Sequence, residues 1–273
     1  MGAAVASTSD SRAIAPYVDT VEDDVELILD LAGVVETDYL IDLGSGDGRF
    51  VIAAARRGAA GYGIDIDAAL VAGARARAAA AGLGHRAVFL EGDLFGADIS
   101  RATVVTIYLF PDANLKLRPK LLRELRPGTR LVSNSFTMGA WAPDDRAQGR
   151  TSGGALLWHI PAHVAGTWHV NVGEAPVEVV FTQCFQELTA AAAGFTVDNL
   201  RLDGRRLSME LRSDNGTNWA LRVDIDGERL AGAANASGNG REAVVPVTGR
   251  RLHHPALAGA EAPVTTGCPQ WSQ

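Results

Sequence analysis

YLIDLGSGDGRF, at residues 39–50, joins a short apolar run that ends in an acid to a glycine-rich turn and the start of a helix. Glycine adopts positive φ without a Cβ clash and lets a ligand approach the backbone, so Gly44, Gly46 and Gly48 predict a loop wrapped around a bound molecule. The helix that begins near Arg49 would point its unpaired backbone N–H groups at the same place. The stretch therefore predicts a strand, a binding loop and a helix in that order.

Several nucleotide-binding loops could fit this description, and residue spacing separates them. A phosphate-binding P-loop needs Gly-Lys followed by Ser or Thr, whereas Gly48 is followed by Arg49 and Phe50. The dinucleotide fingerprint is GxGxxG, and here the third glycine comes one residue early, which makes NAD the weaker option. An ordinary βα turn, whose glycines only tighten packing, is the structural alternative.

The pattern acid-x-Gly-x-Gly-x-Gly from Asp42 to Gly48 resembles motif I of the class I S-adenosylmethionine-dependent methyltransferases. Two further acids follow predicted strands: Asp65, ~20 residues beyond Gly44, where a ribose-binding carboxylate is expected, and Asp93. The resemblance implies that Asp93 holds the adenine amino group and that S-adenosyl-L-methionine is the cofactor. It implies these cofactor-binding residues: Tyr17, Asp42, Gly44, Ser45, Gly46, Gly48, Asp65, Ile66, Asp93 and Leu94.

A closer resemblance covers residues 15–143. Pro16-Tyr17-Val18, the segments 115–121 and 130–136, and the run from Trp141 to Asp144 are similar to the small protein-lysine methyltransferases that modify mitochondrial carrier and ATP-synthase subunits, and to their prokaryotic relatives. The resemblance implies N-methylation of a protein lysine. Prokaryotic relatives often carry His-Asp at the positions of Asn134-Ser135.

The end of the fourth predicted strand bears on the methyl acceptor. Tyr108-Leu109-Phe110-Pro111 departs from the Asp/Asn-Pro-Pro-Tyr motif of nucleic-acid and glutamine methyltransferases, which disfavours DNA as a substrate. An activated sulfonium needs mainly an aligned, neutral acceptor, which polar groups around Tyr108, Pro111 and Ser135 could favour, so we predict these as catalytic residues. Two other functions stay open: a small-molecule methyltransferase, and a non-catalytic cofactor-binding protein whose C-terminal module binds a partner.

Strand and helix patterns alternate up to residue 136, with strands at 39–43, 61–65, 86–90, 103–110 and 130–136 and a first helix from Val21 to Leu31 behind a Thr20 N-cap. Alternation of this kind predicts an α/β fold: a Rossmann-like seven-stranded methyltransferase sheet with a C-terminal antiparallel β module. Short runs separated by Asp-Gly and Asn-Gly pairs at 203–204, 215–216 and 226–227 indicate hairpins in that module. Its opening at 165–168, Ala-Gly-Thr-Trp, resembles the Gly-x-Trp of lipocalin-like barrels.

The expected domains are a flexible N-terminus at 1–15, the methyltransferase domain at 16–153, the β module at 154–250, whose first strands could complete the methyltransferase sheet, and a disordered tail at 251–273. The formal net charge of −7 argues against a nucleic-acid partner. A basic helix flank between Lys116 and Arg130 is interpreted as a solvated surface. We expect a protein or small-molecule methyl acceptor instead.

The two cysteines, Cys184 and Cys268, predict neither a disulfide framework nor a metal site. The three histidines at 159, 163 and 169 lack an acid or cysteine at ligand spacing, so no metal is expected. Neither a secretory signal nor a run of ~20 apolar residues is present, which predicts a cytoplasmic protein without membrane insertion.

Overall fold

The computed structural model describes residues 20–149, 153–214, 216–238, 241–252 and Cys268. Tyr17, the N-terminus predicted at 1–15 and most of the tail predicted at 251–273 lie outside the described residues. The chain divides into two compact units between Ile160 and Pro161.

The first unit is a mixed sheet with helices. Its strands are β1 (Tyr39–Leu43), β2 (Ala60–Asp65), β3 (Ala87–Glu91), β4 (Val104–Ile107), β5 (Arg130–Asn134), β6 (Asp145–Ala147) and β7 (Ala155–His159). Its helices are α1 (Glu22–Leu31), α2 (Arg49–Arg56), α3 (Ala68–Ala80) and α4 (Pro111–Glu124), and a 3₁₀ turn spans Leu94–Gly96. The strand order is β3-β2-β1-β4-β5-β7-β6, with the first five parallel and β7 antiparallel to both neighbours. The predicted seven-stranded sheet is confirmed.

Strand β1 lies in the interior of this sheet, between β2 and β4, and is buried accordingly. Leu40, Ile41 and Leu43 are each 0 % exposed, as expected for a strand covered on both faces. Parallel strands on either side of β1 direct their carboxyl ends to one edge, where the glycine loop begins.

Two predicted strands end earlier than expected, and both ends shape this edge. β4 stops at Ile107 because pairing with β5 ends at Ser133, so residues 108–110 lead instead into the start of α4. β5 stops at Asn134 because Ser135 has φ 67°, outside the range of a strand.

The N-cap predicted for α1 is wrong. The capping position is Val21, which makes no side-chain capping bond. Thr20 is buried, and its hydroxyl accepts a hydrogen bond from Asn134 Nδ2 at 3.3 Å. Thr20 therefore joins α1 to the end of β5.

The boundary between the units falls seven residues later than the predicted one at 153, because β7 hydrogen bonds along β5 and so belongs to the first unit. β7 also pairs with the short strand β6. The first strand after the polar connection thus completes the methyltransferase sheet.

The second unit is a closed antiparallel barrel of eight strands, which confirms the predicted β module. The strands are β8 (Gly166–Val172), β9 (Ala175–Cys184), β10 (Glu187–Ala192), β11 (Phe195–Asp203), β12 (Arg206–Ser213), β13 (Asn218–Asp226), β14 (Arg229–Gly238) and β15 (Arg241–Arg251). β15 pairs with β8 and closes the barrel. Trp168 is fully buried inside and donates from Nε1 to the Val164 carbonyl at 2.7 Å.

The two cysteines form a disulfide, contrary to expectation. Cys184 ends β9, and Cys268 lies 84 residues further along the chain. Sequence spacing could not predict this pair, because the two cysteines are 84 residues apart and come together only in the folded chain.

None of the helices among the described residues is long and apolar enough to span a membrane. Within the same residues, no group of three or more His, Cys, Asp or Glu side chains is placed to hold a metal ion.

Candidate active site

The glycine loop between β1 and α2 is tied to the end of β2. The backbone N–H groups of Gly44 and Ser45 both donate to the Ile64 carbonyl, at 2.9 and 3.0 Å. Gly46 N–H donates to Asp65 Oδ2 at 2.7 Å, while Asp65 Oδ1 accepts from Asp67 N–H at 2.9 Å. The Asp65 carboxylate therefore fixes the loop. Each of its oxygens can accept a second hydrogen bond.

Two positions in or next to the loop, Gly48 and Gly63, leave no room for a side chain. Gly48 has φ 83°, and a Cβ there would lie 2.5 Å from the Phe89 ring. A Cβ on Gly63 would lie 2.4 Å from that of Ser45. Glycine is required at both positions, at Gly48 by conformation as well as space.

Asp42 is buried at the carboxyl end of β1, where it is 3 % exposed. Oδ1 accepts a hydrogen bond from the Thr106 hydroxyl at 2.7 Å, across the register that pairs β1 with β4. Burial raises the pKa of Asp42 to about 7; the Thr106 hydrogen bond opposes this rise, and the nearby carboxylates of Asp65 and Asp47 add to it. A positively charged partner beside this carboxyl would stabilise its charged form and lower its pKa again.

Buried polar atoms without partners show that the loop fits a ligand. Among the described residues, Asp42 Oδ2 and the Ser45 hydroxyl are both buried and lack a hydrogen-bond partner. Such groups are costly unless something binds them. A ligand that brings a cation and polar groups to the loop would satisfy both.

Asp47 lies two residues before α2, next to the helix N-terminus whose N–H groups were predicted to be unpaired. Its Oδ1 accepts from Arg49 N–H at 3.3 Å, and its Oδ2 pairs with the Arg49 guanidinium at 2.7 Å and with that of Arg77. Burial alone would raise the pKa of Asp47, but hydrogen bonds from the two arginines lower it to about 2. The carboxylate therefore stays charged and bound within the protein.

The other predicted cofactor residues lie at neighbouring strand ends. Ile66 follows Asp65 directly and is half-buried. Asp93 is exposed after β3, and its Oδ1 accepts from Phe95 N–H at 2.9 Å, while Leu94 is buried. The acid-bearing ends of β1, β2 and β3 thus share one edge of the sheet.

The predicted catalytic residues lie after β4 and β5. Tyr108 is half-buried, and Pro111 is exposed at the first position of α4. The Ser135 hydroxyl is already engaged, since it donates to Asn134 Oδ1 at 3.0 Å and accepts from Gly153 N–H at 3.0 Å. We therefore interpret Ser135 as a positioning residue.

Two residues of this site, Thr106 and Phe136, were not predicted from the sequence. Thr106 stands in the sequence as one member of a β-branched run, and its place beside Asp42 follows only from strand register. Phe136 falls within the predicted fifth strand, yet its ring stacks 6.0 Å from that of Tyr108. Alternation along β4 was the one signal that could have placed Thr106.

The sheet order, the glycine loop and the three acids define a class I S-adenosylmethionine-dependent methyltransferase. Residues 42–145 match the model of the ANTKMT methyltransferase domain. The chain is 41 % identical over 132 residues to a protein-lysine N-methyltransferase of Saccharolobus islandicus, covering 48 % of this chain and 82 % of that protein. The chain therefore belongs to this methyltransferase family.

Two further comparisons agree. An adenine nucleotide translocase lysine N-methyltransferase of Mus musculus is 35 % identical over 131 residues, 47 % of this chain and 56 % of that protein. The crystal structure of an RNA methyltransferase from Salinibacter ruber, in complex with S-adenosyl-L-homocysteine, is 52 % identical with a TM-score of 0.52, over 54 % of this chain and 96 % of that one. The cofactor is S-adenosyl-L-methionine. The chain spans about half the length of the animal relatives it matches, 57 % of a Xenopus laevis protein and 45 % of a human one.

Proposed function

We propose that the protein transfers methyl groups from S-adenosyl-L-methionine to lysine side chains of a protein. The buried Asp42 carboxyl carries the cofactor part of this proposal, because it lies beside the glycine loop with one oxygen unpartnered and complements a cationic cofactor. The protein-lysine methyltransferase of Saccharolobus islandicus supports the choice of acceptor. The net charge of −7 also favours encounters with basic protein surfaces.

The proposed cofactor contacts divide by chemistry. The carboxyl of Asp42 would face the cationic part of the molecule, and that of Asp65 the ribose hydroxyls. Asp93 would take the adenine amino group, with Ile66 and Leu94 offering apolar contact. The loop residues Gly44, Ser45, Gly46 and Gly48 would contact the cofactor directly. Tyr17 is proposed only from the family resemblance, since it lies outside the described residues.

The chain's task in the reaction is to align the acceptor. When bound, S-adenosylmethionine would supply an electrophilic methyl group for a neutral acceptor amine, with release of S-adenosylhomocysteine and a proton. Tyr108 and Pro111 would contact the acceptor, and Ser135, through its bonds to Asn134 and Gly153, would hold the backbone in place. Positioning of this kind can contribute about 7–11 kcal/mol of the barrier reduction.

The test is methyl transfer into a proteome extract with radiolabelled cofactor, followed by acid hydrolysis. Label in methyl-lysine is expected from the intact protein and is expected to fall strongly in Asp65→Ala. The Gly73→Ala variant is the control, because Gly73 lies in α3 with no atom near its missing side chain. Label confined to small molecules, or cofactor binding without turnover, would contradict the proposal.

RNA methylation is a second candidate because the Salinibacter ruber protein is named an RNA methyltransferase. Lys116, Arg123 and Arg126 are exposed along and just after α4, where they could meet phosphates. Protease and ribonuclease treatment of the labelled extract separates the two: label that is released only by ribonuclease would favour RNA.

A further inference from the structure

Three aromatic side chains meet at the carboxyl ends of β4 and β5. The rings of Tyr108 and Phe136 stack with centroids 6.0 Å apart and 29° between their planes. Phe110 meets Phe136 edge to face at 5.5 Å. Phe110 is 42 % exposed, and the other two are half-buried. These three residues, the aromatic cluster, are therefore open to solvent on one side.

The aromatic cluster borders the glycine loop. Leu109, between two of its members, is buried, and its Cδ2 would lie 3.2 Å from a Cβ placed on Gly44. A molecule held by the cluster would thus lie close to a cofactor held by the loop. Ligands of open α/β sheets bind at this edge, so a methyl acceptor at the cluster would meet the cofactor there.

An unusual turn directs Phe136 into the cluster. Ser135 has φ 67°, and Phe136 N–H donates to the Asn134 carbonyl at 2.8 Å, two residues back, which is the pattern of a γ-turn with positive φ. Ser135 N–H donates to the Gly154 carbonyl at 2.7 Å, and its hydroxyl donates to Asn134 Oδ1 at 3.0 Å. Strained backbone held by several bonds is typical of functional sites.

The aromatic rings of the cluster favour a cationic ligand. Aromatic faces attract cations, and sites made of several rings suit quaternary ammonium groups, whose methyls pack against the rings while the charge meets their π-systems. A lysine ammonium becomes larger and less hydrated with each methyl group. Affinity for the cluster should therefore rise with methylation.

We propose that Tyr108, Phe110 and Phe136 bind the ammonium end of the acceptor lysine and of its methylated forms, with Ser135 as the positioning residue. The identity of the acceptor rests on the proposed function. The cluster retains a partly methylated side chain beside the loop. The expected product is consequently lysine carrying more than one methyl group.

The test uses two small probes on the full chain saturated with S-adenosylhomocysteine. One is Nα-acetyl-trimethyllysine methylamide, and the other is its neutral analogue with carbon in place of the quaternary nitrogen. Titration followed by NMR of ¹³C-labelled Phe and Tyr rings should show about fivefold tighter binding of the cation. Phe136→Leu should bring this ratio to about one while S-adenosylhomocysteine binding is unchanged.

Two variants complete the design. Phe110→Leu changes an exposed ring and should reduce the ratio without disturbing the fold. Phe195→Leu removes a ring from another aromatic pair, 5.2 Å from Trp219 in the barrel, and should leave the ratio intact.

Equal affinity of the wild type for both probes would overturn the inference, as would an unchanged ratio in both cluster variants. Methyl-lysine formation without a cation preference would refute the aromatic site alone. A cation preference without methyl-lysine in labelled protein would support the site and refute the proposed acceptor.

Discussion

Replacing Asp42 by Asn should make the cofactor-free protein more stable, and more so at high pH. The folded state raises the pKa of this carboxyl from 3.8 to about 7, so the folded protein keeps a proton that the unfolded chain releases between these values. The free energy of unfolding therefore falls as pH rises through that window and levels off above pH 7. At 1.36 kcal/mol per pKa unit, the whole effect is on the order of 4 kcal/mol.

Urea denaturation of both proteins at pH 5 and pH 8 measures the difference. The free energy of unfolding of Asp42→Asn should exceed that of the wild type by about 2 kcal/mol at pH 5 and by about 4 kcal/mol at pH 8. Burial, and then Arg251, lower the pKa of His163, which opposes stability as pH falls. Both proteins carry His163, so the difference between them isolates Asp42. A stability difference that does not change with pH would contradict a raised pKa at Asp42.

Cofactor binding should show the opposite pH dependence. A cationic ligand beside Asp42 favours the carboxylate, so wild-type affinity for S-adenosylmethionine should be about tenfold weaker at pH 6 than at pH 8. Asp42→Asn should bind more weakly and with no pH dependence in this range. Calorimetric titration at both pH values provides the measurement, and equal wild-type affinities would contradict a titrating Asp42.

The remaining predictions concern other parts of the fold. Gly48→Ala should destabilise the protein by at least about 2 kcal/mol in thermal unfolding, because its Cβ would lie 2.5 Å from a ring carbon, whereas Gly73→Ala should stabilise it by about 0.5–1 kcal/mol. Asp65→Ala should weaken S-adenosylhomocysteine binding about 10- to 100-fold by calorimetry, since the Gly46 N–H loses its acceptor. Cys184→Ser, which opens a bridge between residues 84 apart, should cost on the order of 4 kcal/mol of barrel stability and leave cofactor affinity unchanged. A chain ending at Ile160 should bind cofactor better than one ending before β7, as measured on monodisperse samples.

Local patterns predicted much of the fold. The apolar run of β1 and the glycines after it specify a strand and a turn from adjacent residues alone. The Asp-Gly pair at 226–227 likewise marks the hairpin between β13 and β14. Strands β10 and β14 were harder to predict, because Glu187–Ala192 and Arg229–Gly238 are rich in alanine, which favours helices in isolation. Pairing with neighbours in the barrel overrides that preference.

The sequence specifies the alternating strands and helices up to residue 136, the cofactor class and the acids at the ends of β1, β2 and β3, because each signal lies within one short segment. The contacts between residues that are distant in the sequence follow only from the folded structure. Thr106 meets Asp42 through the register of two parallel strands, and Cys184 at the end of β9 forms a disulfide with Cys268, 84 residues away. Phe136 reaches Tyr108 because a turn at Ser135 departs from strand geometry. Contacts between residues distant in sequence depend on packing and register, which local composition does not encode.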